Sequence, residues 1–505
     1  MKHFATTCIR GRRHPAPRFK LSAFTSAVAL AAALAGCAAG PDYKRPVAPL
    51  PAAYATEANG AGPASPGIKL GQGQQFVPAR DIPLQWWKLF QSPALNQLVE
   101  ASLKQNPNVD AAQAALRAAQ ENVAAQRGFF YPSVDAGFAP SRQKVAGTLA
   151  SPASSGASYF NLYTAQVSVS YTADVFGANR RQVESLQAQA DSQRFQLEAT
   201  YLTLSANVVA AAIQEAALRG QIAATKEIIA DQARLMRMFE RQLELGQLAK
   251  ADVAAQEATL AAAEASLPPL EKQLALQRDL LKVLAGRFPS DDTVASFALD
   301  DLQLPGELPL SLPSSLVEHR PDVRAAEEQL HAASAAIGVA AANRLPSITL
   351  GVNGYGSSAL AMSDLFKSGT GFWTLAGGLT QPVFDGGTLK HREAAARAEY
   401  DGAAAQYRAT VLNAFQNVAD ALQAIQSDAQ ALRAAAKAER AADTSLAIAR
   451  RQLELGDISP LTLLSSEQAY QQAHLNLVQA QANRLADTVA LFQALGGGWW
   501  NKESE

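Results

Sequence analysis

Arg241-Gln-Leu-Glu-Leu-Gly246 returns letter for letter as Arg451-Gln-Leu-Glu-Leu-Gly456, 210 residues further along a chain of 505. In so Ala/Gln/Leu-rich a chain the flanks must decide whether this is coincidence, and they agree. Pro107-Asn-Val-Asp-Ala-Ala112 answers Pro321-Asp-Val-Arg-Ala-Ala326. Pro132-Ser133 answers Pro346-Ser347, Val175-Phe176 answers Val383-Phe384, and Leu284-Ala-Gly286 answers Leu495-Gly-Gly497. The matches keep one order, with offsets between 208 and 214. One long unit is present twice, so the fold is read per repeat. The chain is read as a leader (1–36), a Pro-rich tether with the segment that follows it (37–94), repeat 1 (95–286), a Pro/Asp-rich linker (287–313), repeat 2 (314–499) and a tail (500–505).

Each repeat reads as short helix, strand, loop, strand, long helix, turn, short helix. In repeat 1 a helix is predicted over 95–128 and strands over 132–142 and 162–175. A long helix is predicted over 177–245, where only Gly220 interrupts good helix formers, and Gly246 stops it. A second short helix follows over 250–286, with Pro268-Pro269 expected to bend it. Repeat 2 places helices at 314–343, 386–455 and 459–495, with strands near 346–356 and 372–383. At roughly 1.5 Å per residue the long helix reaches about 105 Å, close to the two short ones laid end to end.

The strands alternate. Tyr163, Ala165, Val167, Val169, Tyr171, Ala173 and Val175 interleave with Thr164, Gln166, Ser168, Ser170, Thr172 and Asp174. In repeat 2, Trp373, Leu375, Gly377 and Leu379 interleave with Thr374, Ala376, Gly378 and Thr380, and Ile348, Leu350 and Val352 with Thr349, Gly351 and Asn353. A membrane barrel strand needs about 9–11 residues with one face to lipid and one to a wet lumen. Aromatics near the strand ends (Phe129, Phe130, Tyr131, Tyr159, Phe160, Tyr171, Phe176, Phe372, Trp373, Phe384) fit interfacial girdles. A soluble sheet with one buried face shows the same alternation. One chain offers four strands, which cannot close a barrel, and lipid tolerates no open edge. Several copies must therefore contribute. Three would give twelve strands, and two or four remain open on this argument.

Met1 to Lys20 carries six basic residues and no acid, Leu21 to Ala35 is apolar and small, and Leu34-Ala-Gly-Cys37 follows. That is the form of a bacterial secretory signal ending in a lipobox, with Cys37 as the lipid attachment residue of the mature chain. Losing the leader takes the formal charge from −1 to −7, which speaks against a nucleic-acid-binding face. It also discards Cys8, so with Cys37 acylated no disulfide can form. Ala38, where Asp would commonly signal inner-membrane retention, is compatible with the outer membrane.

Cys37-Ala-Ala-Gly-Pro-Asp-Tyr43-Lys-Arg-Pro46, Trp86-Trp87, Phe90-Gln-Ser-Pro-Ala-Leu95, Arg320-Pro-Asp-Val-Arg-Ala-Ala-Glu327 and Leu495-Gly-Gly-Gly-Trp499 together resemble the TolC-like outer-membrane factors, in particular the lipid-anchored subgroup serving resistance-nodulation-division pumps. The resemblance covers 37–499. It implies a membrane α+β protein, a homotrimer whose twelve-stranded outer-membrane β-barrel (four strands per chain) continues as a long periplasmic α-helical barrel. It implies two protein partners, a periplasmic adaptor and an inner-membrane resistance-nodulation-division transporter, besides outer-membrane lipid. It also implies that the loops 143–161 and 357–371 face outside and that the turns after Gly246 and Gly456 form the periplasmic tip. Asp252 and Asp457 sit at those turns, and with threefold symmetry each would make a ring of carboxylates. They are the expected gate and adaptor-docking residues, together with Gly246 and Gly456. The alternative for each is an acid stabilised at a helix N-terminus. Asp457 follows its glycine directly, with Ile458-Ser-Pro460 next, which departs from the family's gating pattern.

Catalytic signals are weak. His319, His331, His391 and His474 form no His-Glu-x-x-His pair. Met236 and Met238 do not share a helix face. Gly351-Val-Asn-Gly-Tyr-Gly356 lacks a following Lys-Ser/Thr and lies in a strand pattern. No Ser occupies a Gly-x-Ser-x-Gly turn. The reading is a passive efflux duct, not an enzyme, with no cofactor or metal. A type I protein-secretion duct shares the fold, and a non-channel periplasmic coiled-coil scaffold explains the helices but leaves the strands without a purpose.

Overall fold

The computed structural model describes residues 38–46, 64–146, 159–291 and 295–501. The expected leader, the lipid-bearing Cys37, most of the loop 143–161 and most of the tail lie outside the described residues. In chain order the elements are β1 (Gln75–Pro78), α1 (Pro93–Gln105), α2 (Pro107–Arg127), β2 (Ser133–Lys144), β3 (Tyr159–Ala173), α3 (Ala178–Glu244), α4 (Lys250–Leu284), β4 (Glu307–Leu310), α5 (Pro313–His319), α6 (Pro321–Ala342), β5 (Ser347–Ala359), β6 (Gly371–Phe372), β7 (Leu375–Thr380), α7 (Thr388–Leu455) and α8 (Pro460–Ala494). They fall into two compact units, one drawn from 1–42, 126–183 and 335–396, the other from 43–125, 184–334 and 397–505.

The first unit is built on one antiparallel sheet in the order β2-β3-β5, with β6 and β7 both pairing with the far edge of β5. The β3–β5 ladder joins the two repeats. It runs from Tyr163 opposite Ala359 to Ala173 opposite Ile348 and slips by one residue between Val167 and Val169. On the other side of β5, Gly356 faces Phe372 while Val352 faces Leu375, again a slip of one. Both slips bracket Gly354, at φ +78°. One extra residue in a left-handed conformation is a β-bulge of the glycine type. It interrupts the strand expected over 372–383, which appears as β6 and β7 and stops at Thr380. A carboxylate caps each long helix, from a different place in each repeat. Asp174 accepts from the Asn179 and Arg180 amides, and Asp385 from those of Gly387 and Leu389. Residues 39–42 are packed here too. The Ala39 amide donates to Phe176 O at 2.9 Å. Arg181 donates to Ala39 O and to Asp42. A methyl added to Gly338 would lie 2.8 Å from Ala39 O.

The second unit contains the main core. Trp86 stacks on Phe492 with ring centroids 5.3 Å apart, and Phe90 meets Trp86 edge-on. Leu95, Val99, Ile213, Val411, Val418 and Leu485 are buried around them. Alanines such as Ala212 and Ala217 on α3 and Ala414 on α7 are buried at contacts where a larger side chain would hold the rods apart.

The helices expected over 95–128 and 314–343 are each two helices. Asn106 and Arg320 adopt extended conformations (ψ 124° and 123°), because a residue before proline is pushed out of the α region. The short helices of repeat 1 are therefore α1, α2 and α4, of 13, 21 and 35 residues, against a 67-residue α3, with one break more than expected. Both breaks are used alike. Asn106 Nδ2 donates to Leu284 O at the end of α4, and Arg320 Nη1 donates to Ala494 O at the end of α8. Each pre-proline side chain thus satisfies a carbonyl left over at a helix C-terminus. Helix α4 continues through Pro268-Pro269 without a break.

Residues 64–80 are not the free tether that their composition predicts. Strand β1 pairs in parallel with β4 of the linker, Gln75 opposite Glu307, and Leu70, Gln74 and Ile82 are buried. Arg484 of α8, 1% exposed, donates to Leu70 O, Gln72 O and Gln74 Oε1. Backbone that pairs with a ladder and a buried guanidinium does not need apolar side chains to be part of a core.

Candidate functional site

Residues opposite one another in an antiparallel ladder share a face, so the register assigns the faces of the sheet. Val134, Ala136 and Phe138 of β2 stand beside Val169, Val167 and Ala165 of β3. These continue into Val352 and Tyr355 of β5, and Tyr171 and Ala173 into Leu350 and Ile348. Leu375 and Leu379 of β7 complete the row. The other face carries Thr164, Gln166, Ser170, Thr172 and Thr349. The apolar face is uncovered: Val134 is 66% exposed, Tyr355 70% and Leu375 72%. A soluble sheet would bury that face. This one presents it, as a lipid-facing surface requires. Phe129, Tyr131, Tyr159, Trp373 and Phe384 are exposed as girdle residues should be, whereas Phe160 is buried. The sheet ends at β2 on one side and at β6 and β7 on the other.

The turns after Gly246 and Gly456 are twins. Gly246 (φ +74°) and Gly456 (φ +78°) sit just past α3 and α7. The Gly246 and Gly456 amides donate to Leu243 O and Leu453 O, and the next amides, of Gln247 and Asp457, to Gln242 O and Gln452 O. This is the Schellman closure, which needs a residue tolerant of positive φ. The same pair of bonds recurs at Gly286-Arg287 and at Gly496-Gly497. Gly286 is therefore equivalent to Gly496, not to Gly497 as the letter match implies, and the offset is again 210. Leu248 and Val253 of one turn and Leu453 and Ile458 of the other pack on a small core of Leu235, Phe239, Leu446, Ala449 and Leu463. Asp252 lies half-buried in the first turn of α4, and Asp457 is exposed between α7 and α8.

Two charged groupings gave no signal in the sequence, where their members are scattered through Ala-rich helices. In the first, Arg450 Nη2 of α7 lies 2.8 Å from Asp231 Oδ2 of α3 and 3.5 Å from Glu467 Oε1 of α8, clamping three helices. Burial pushes the Glu467 carboxyl up and Arg450 pulls it back. In the second, Asp428 of α7 faces Asp487 and Arg484 of α8. Burial, then the neighbouring Asp487 carboxyl, push the Asp428 carboxyl up to about 7 against the pull of Arg484. The folded state therefore holds a proton on Asp428 that the unfolded chain has released. That contribution is full below an unfolded pKa near 3.8 and is lost as pH rises to about 7. Asp428→Asn is expected to raise the melting temperature by a few degrees at pH 8 and to leave it unchanged at pH 4, as read by circular dichroism. A gain of equal size at both pH values would contradict the assignment.

Three of the four histidines pack against other side chains, and His391 is exposed. His331 stacks on Tyr43 at 4.2 Å between Glu184 and Glu328, His319 stacks on Trp500, and His474 lies beside Glu439. Among the described residues no group of three or more His, Cys, Asp or Glu is arranged to hold a metal.

The sequence matches the family model of outer membrane efflux proteins over residues 98–287 and 312–497, each stretch holding one strand pair and one long helix. The chain belongs to the outer membrane efflux protein family. OpmQ, a pyoverdine export outer membrane protein of Pseudomonas putida, is 32% identical over 417 residues, covering 82% of this chain and 88% of its own. The toluene efflux pump outer membrane protein TtgC of Pseudomonas putida is 30% identical over 474 residues, 94% of this chain and 95% of its own. Among solved structures, the outer-membrane channel OprN superposes with a TM-score of 0.81 at 27% identity, covering 92% of this chain and all of the other. As an outer membrane efflux protein the chain is a channel component and not an enzyme.

Proposed function

We propose that three copies of this chain close one twelve-stranded barrel in the outer membrane and form a passive exit duct. Small molecules delivered by an inner-membrane resistance-nodulation-division transporter and a periplasmic adaptor leave through it. The observation that carries this reading is the sheet itself: two unpaired edges and one apolar face, which lipid accepts only if other copies complete the ring. Cys37, one residue before the packed Ala38–Asp42 segment, is the lipid attachment residue. Asp252 and Asp457, set by the Gly246 and Gly456 turns, line the periplasmic entrance and the adaptor-docking end.

The test is extraction and conductance. The mature protein is expected to need detergent, to run as a heat-labile trimer, and to give mostly closed channels in planar bilayers. Asp252→Ala combined with Asp457→Ala should raise conductance several-fold by removing two rings of charge. An unchanged closed state removes both aspartates from the gate, and a water-soluble monomer removes the duct.

A further inference from the structure

The apolar face of β2 changes character along the strand. Val134, Ala136 and Phe138 are followed on the same face, two residues at a time, by Pro140, Arg142 and Lys144. Both cations are exposed, and Lys144 Nζ stands 5.1 Å from the centre of the Tyr159 ring on β3. Between Ala136 and Ala173 the sequence holds these two cations and no acid. They lie at the end of the strand pair away from the helices, since α2 leads into β2 at Ser133 and α3 follows β3 after Ala173. A cation on the lipid side of a barrel strand is costly at mid-depth and tolerated near the headgroups. Further back along β2 the same face is hollow. Two cross-strand rows stand on it, Ala136–Val167–Tyr355 and Phe138–Ala165–Ser357, while the row between them, Gly137–Gln166–Gly356, turns to the other side. A recess of ≈ 820 Å³ lies along these rows, with the small Ala136 and Ala165 in its lining beside Phe138, Tyr355, Phe366 and Trp373. Asp135, Thr164, Ser168 and Ser358, which flank the middle row on the polar face, do not line it, so it opens on the apolar side. Phe366, from the loop between β5 and β6, is 81% exposed beside it.

We propose that this patch binds a phosphorylated lipid of the outer leaflet, with its phosphates on Arg142 and Lys144 and an acyl chain in the recess; the inference rests on the barrel reading given above. Charge sets the headgroup: two neighbouring cations without an acid, at headgroup depth, pair with phosphate, and the Arg142 guanidinium offers it a planar fork. The recess sets the tail. It is lined by aromatic rings and methyl groups, so it takes hydrocarbon and offers a headgroup nothing. Phe138 and Arg142 are four residues apart, roughly 13 Å along the strand, a span that one lipid covers from phosphate to acyl chain. The recess crosses the seam between β3 and β5 and includes the loop residue Phe366. An occupant therefore touches both repeats at once.

The mature protein, extracted in detergent and washed free of lipid, is mixed separately with bisphosphorylated lipid A, with lipid A stripped of both phosphates, and with phosphatidylethanolamine. Native mass spectrometry counts the lipid retained on each oligomer. Bisphosphorylated lipid A is expected to bind about tenfold more tightly than the other two. Arg142→Gln combined with Lys144→Gln, both at exposed positions, should abolish that preference. Ala136→Phe, also at an exposed position, fills the recess and should weaken retention of both forms of lipid A several-fold while leaving the preference for phosphate in place. Equal retention of the two forms of lipid A, a preference unmoved in the double variant, or undiminished retention in Ala136→Phe would each overturn the proposal. Planar-bilayer conductance of the same preparations separates the two readings. A conducting oligomer without the lipid preference removes this site alone, and a water-soluble monomer removes the barrel and the site together.

Discussion

Gly356→Val is expected to eliminate the assembled protein from the outer membrane. Gly356 sits in β5 opposite Gln166 of β3 and Phe372 of β6. A Cβ there would fall inside the carbonyl oxygen of Ala165 and 2.7 Å from the Gln166 Cα. Both obstacles are backbone of the neighbouring strand, so no rotamer change relieves them, and β3 must move off β5. That seam is the ladder joining the strand pair of one repeat to the strand pair of the other. A strand glycine at a close backbone approach is thus a steric requirement and not a weak point. Gly137→Val is the matched control, because a Cβ at Gly137 meets nothing within 4 Å. Heat-modifiable oligomer in outer-membrane fractions, resolved on semi-native gels, is the readout. It should vanish for Gly356→Val and persist for Gly137→Val. Equal amounts of oligomer from both would mean that the seam does not hold the sheet.

The second large effect is at Arg484. Arg484→Leu is expected to cost about 3–5 kcal/mol, the range for stripping one partner from a buried charged network. Its guanidinium donates to Leu70 O at 2.5 Å, Gln72 O at 3.2 Å and Gln74 Oε1 at 3.1 Å. Gln74 in turn donates to Thr488 Oγ1 and Pro305 O. Leucine fills much of the volume and leaves those acceptors buried without donors, and Asp428 loses its nearest cation. The strand-forming 64–80 segment should detach before the helices melt, so limited proteolysis should cut there first. Arg484→Lys keeps the charge without the planar fork and should recover only part of the loss. Unchanged melting and cleavage patterns in Arg484→Leu would show that β1 is held by its ladder with β4 alone.

Much of the fold is legible because its signals are periodic and local. The 67- and 68-residue helices α3 and α7 announce themselves by length without proline, β3 by strict alternation, and the duplication by repeated letters. The misreadings have physical causes. Apolar spacing runs straight through Pro107 and Pro321 and masks the helix ends that the residues before those prolines impose. The bulge at Gly354 was hidden because a glycine-rich strand has little alternation to lose. The 64–80 segment reads as linker because what holds it is its own backbone carbonyls and the Gln74 amide oxygen accepting from Arg484, some 400 residues away. Gly246 and Gly456 are visible because a helix stop needs a particular residue. Arg450, Asp231 and Glu467 are not, because three charges on separate helices have no spacing to recognise until the helices are packed.

The two seams closed by Asn106 and Arg320 are geometrically equivalent and chemically different, one an uncharged amide, the other a cation that also grips Asp322. Geometry is what gene doubling copies, and chemistry is what drifts afterwards. Half of this polypeptide, holding two strands and one unbroken rod, would face the same demand for closure and would meet it only with twice as many subunits. Fusion into one reading frame halves the number of bodies that must find each other, and it allows alternate positions around the ring to diverge, which an ancestor of identical halves had no means to do.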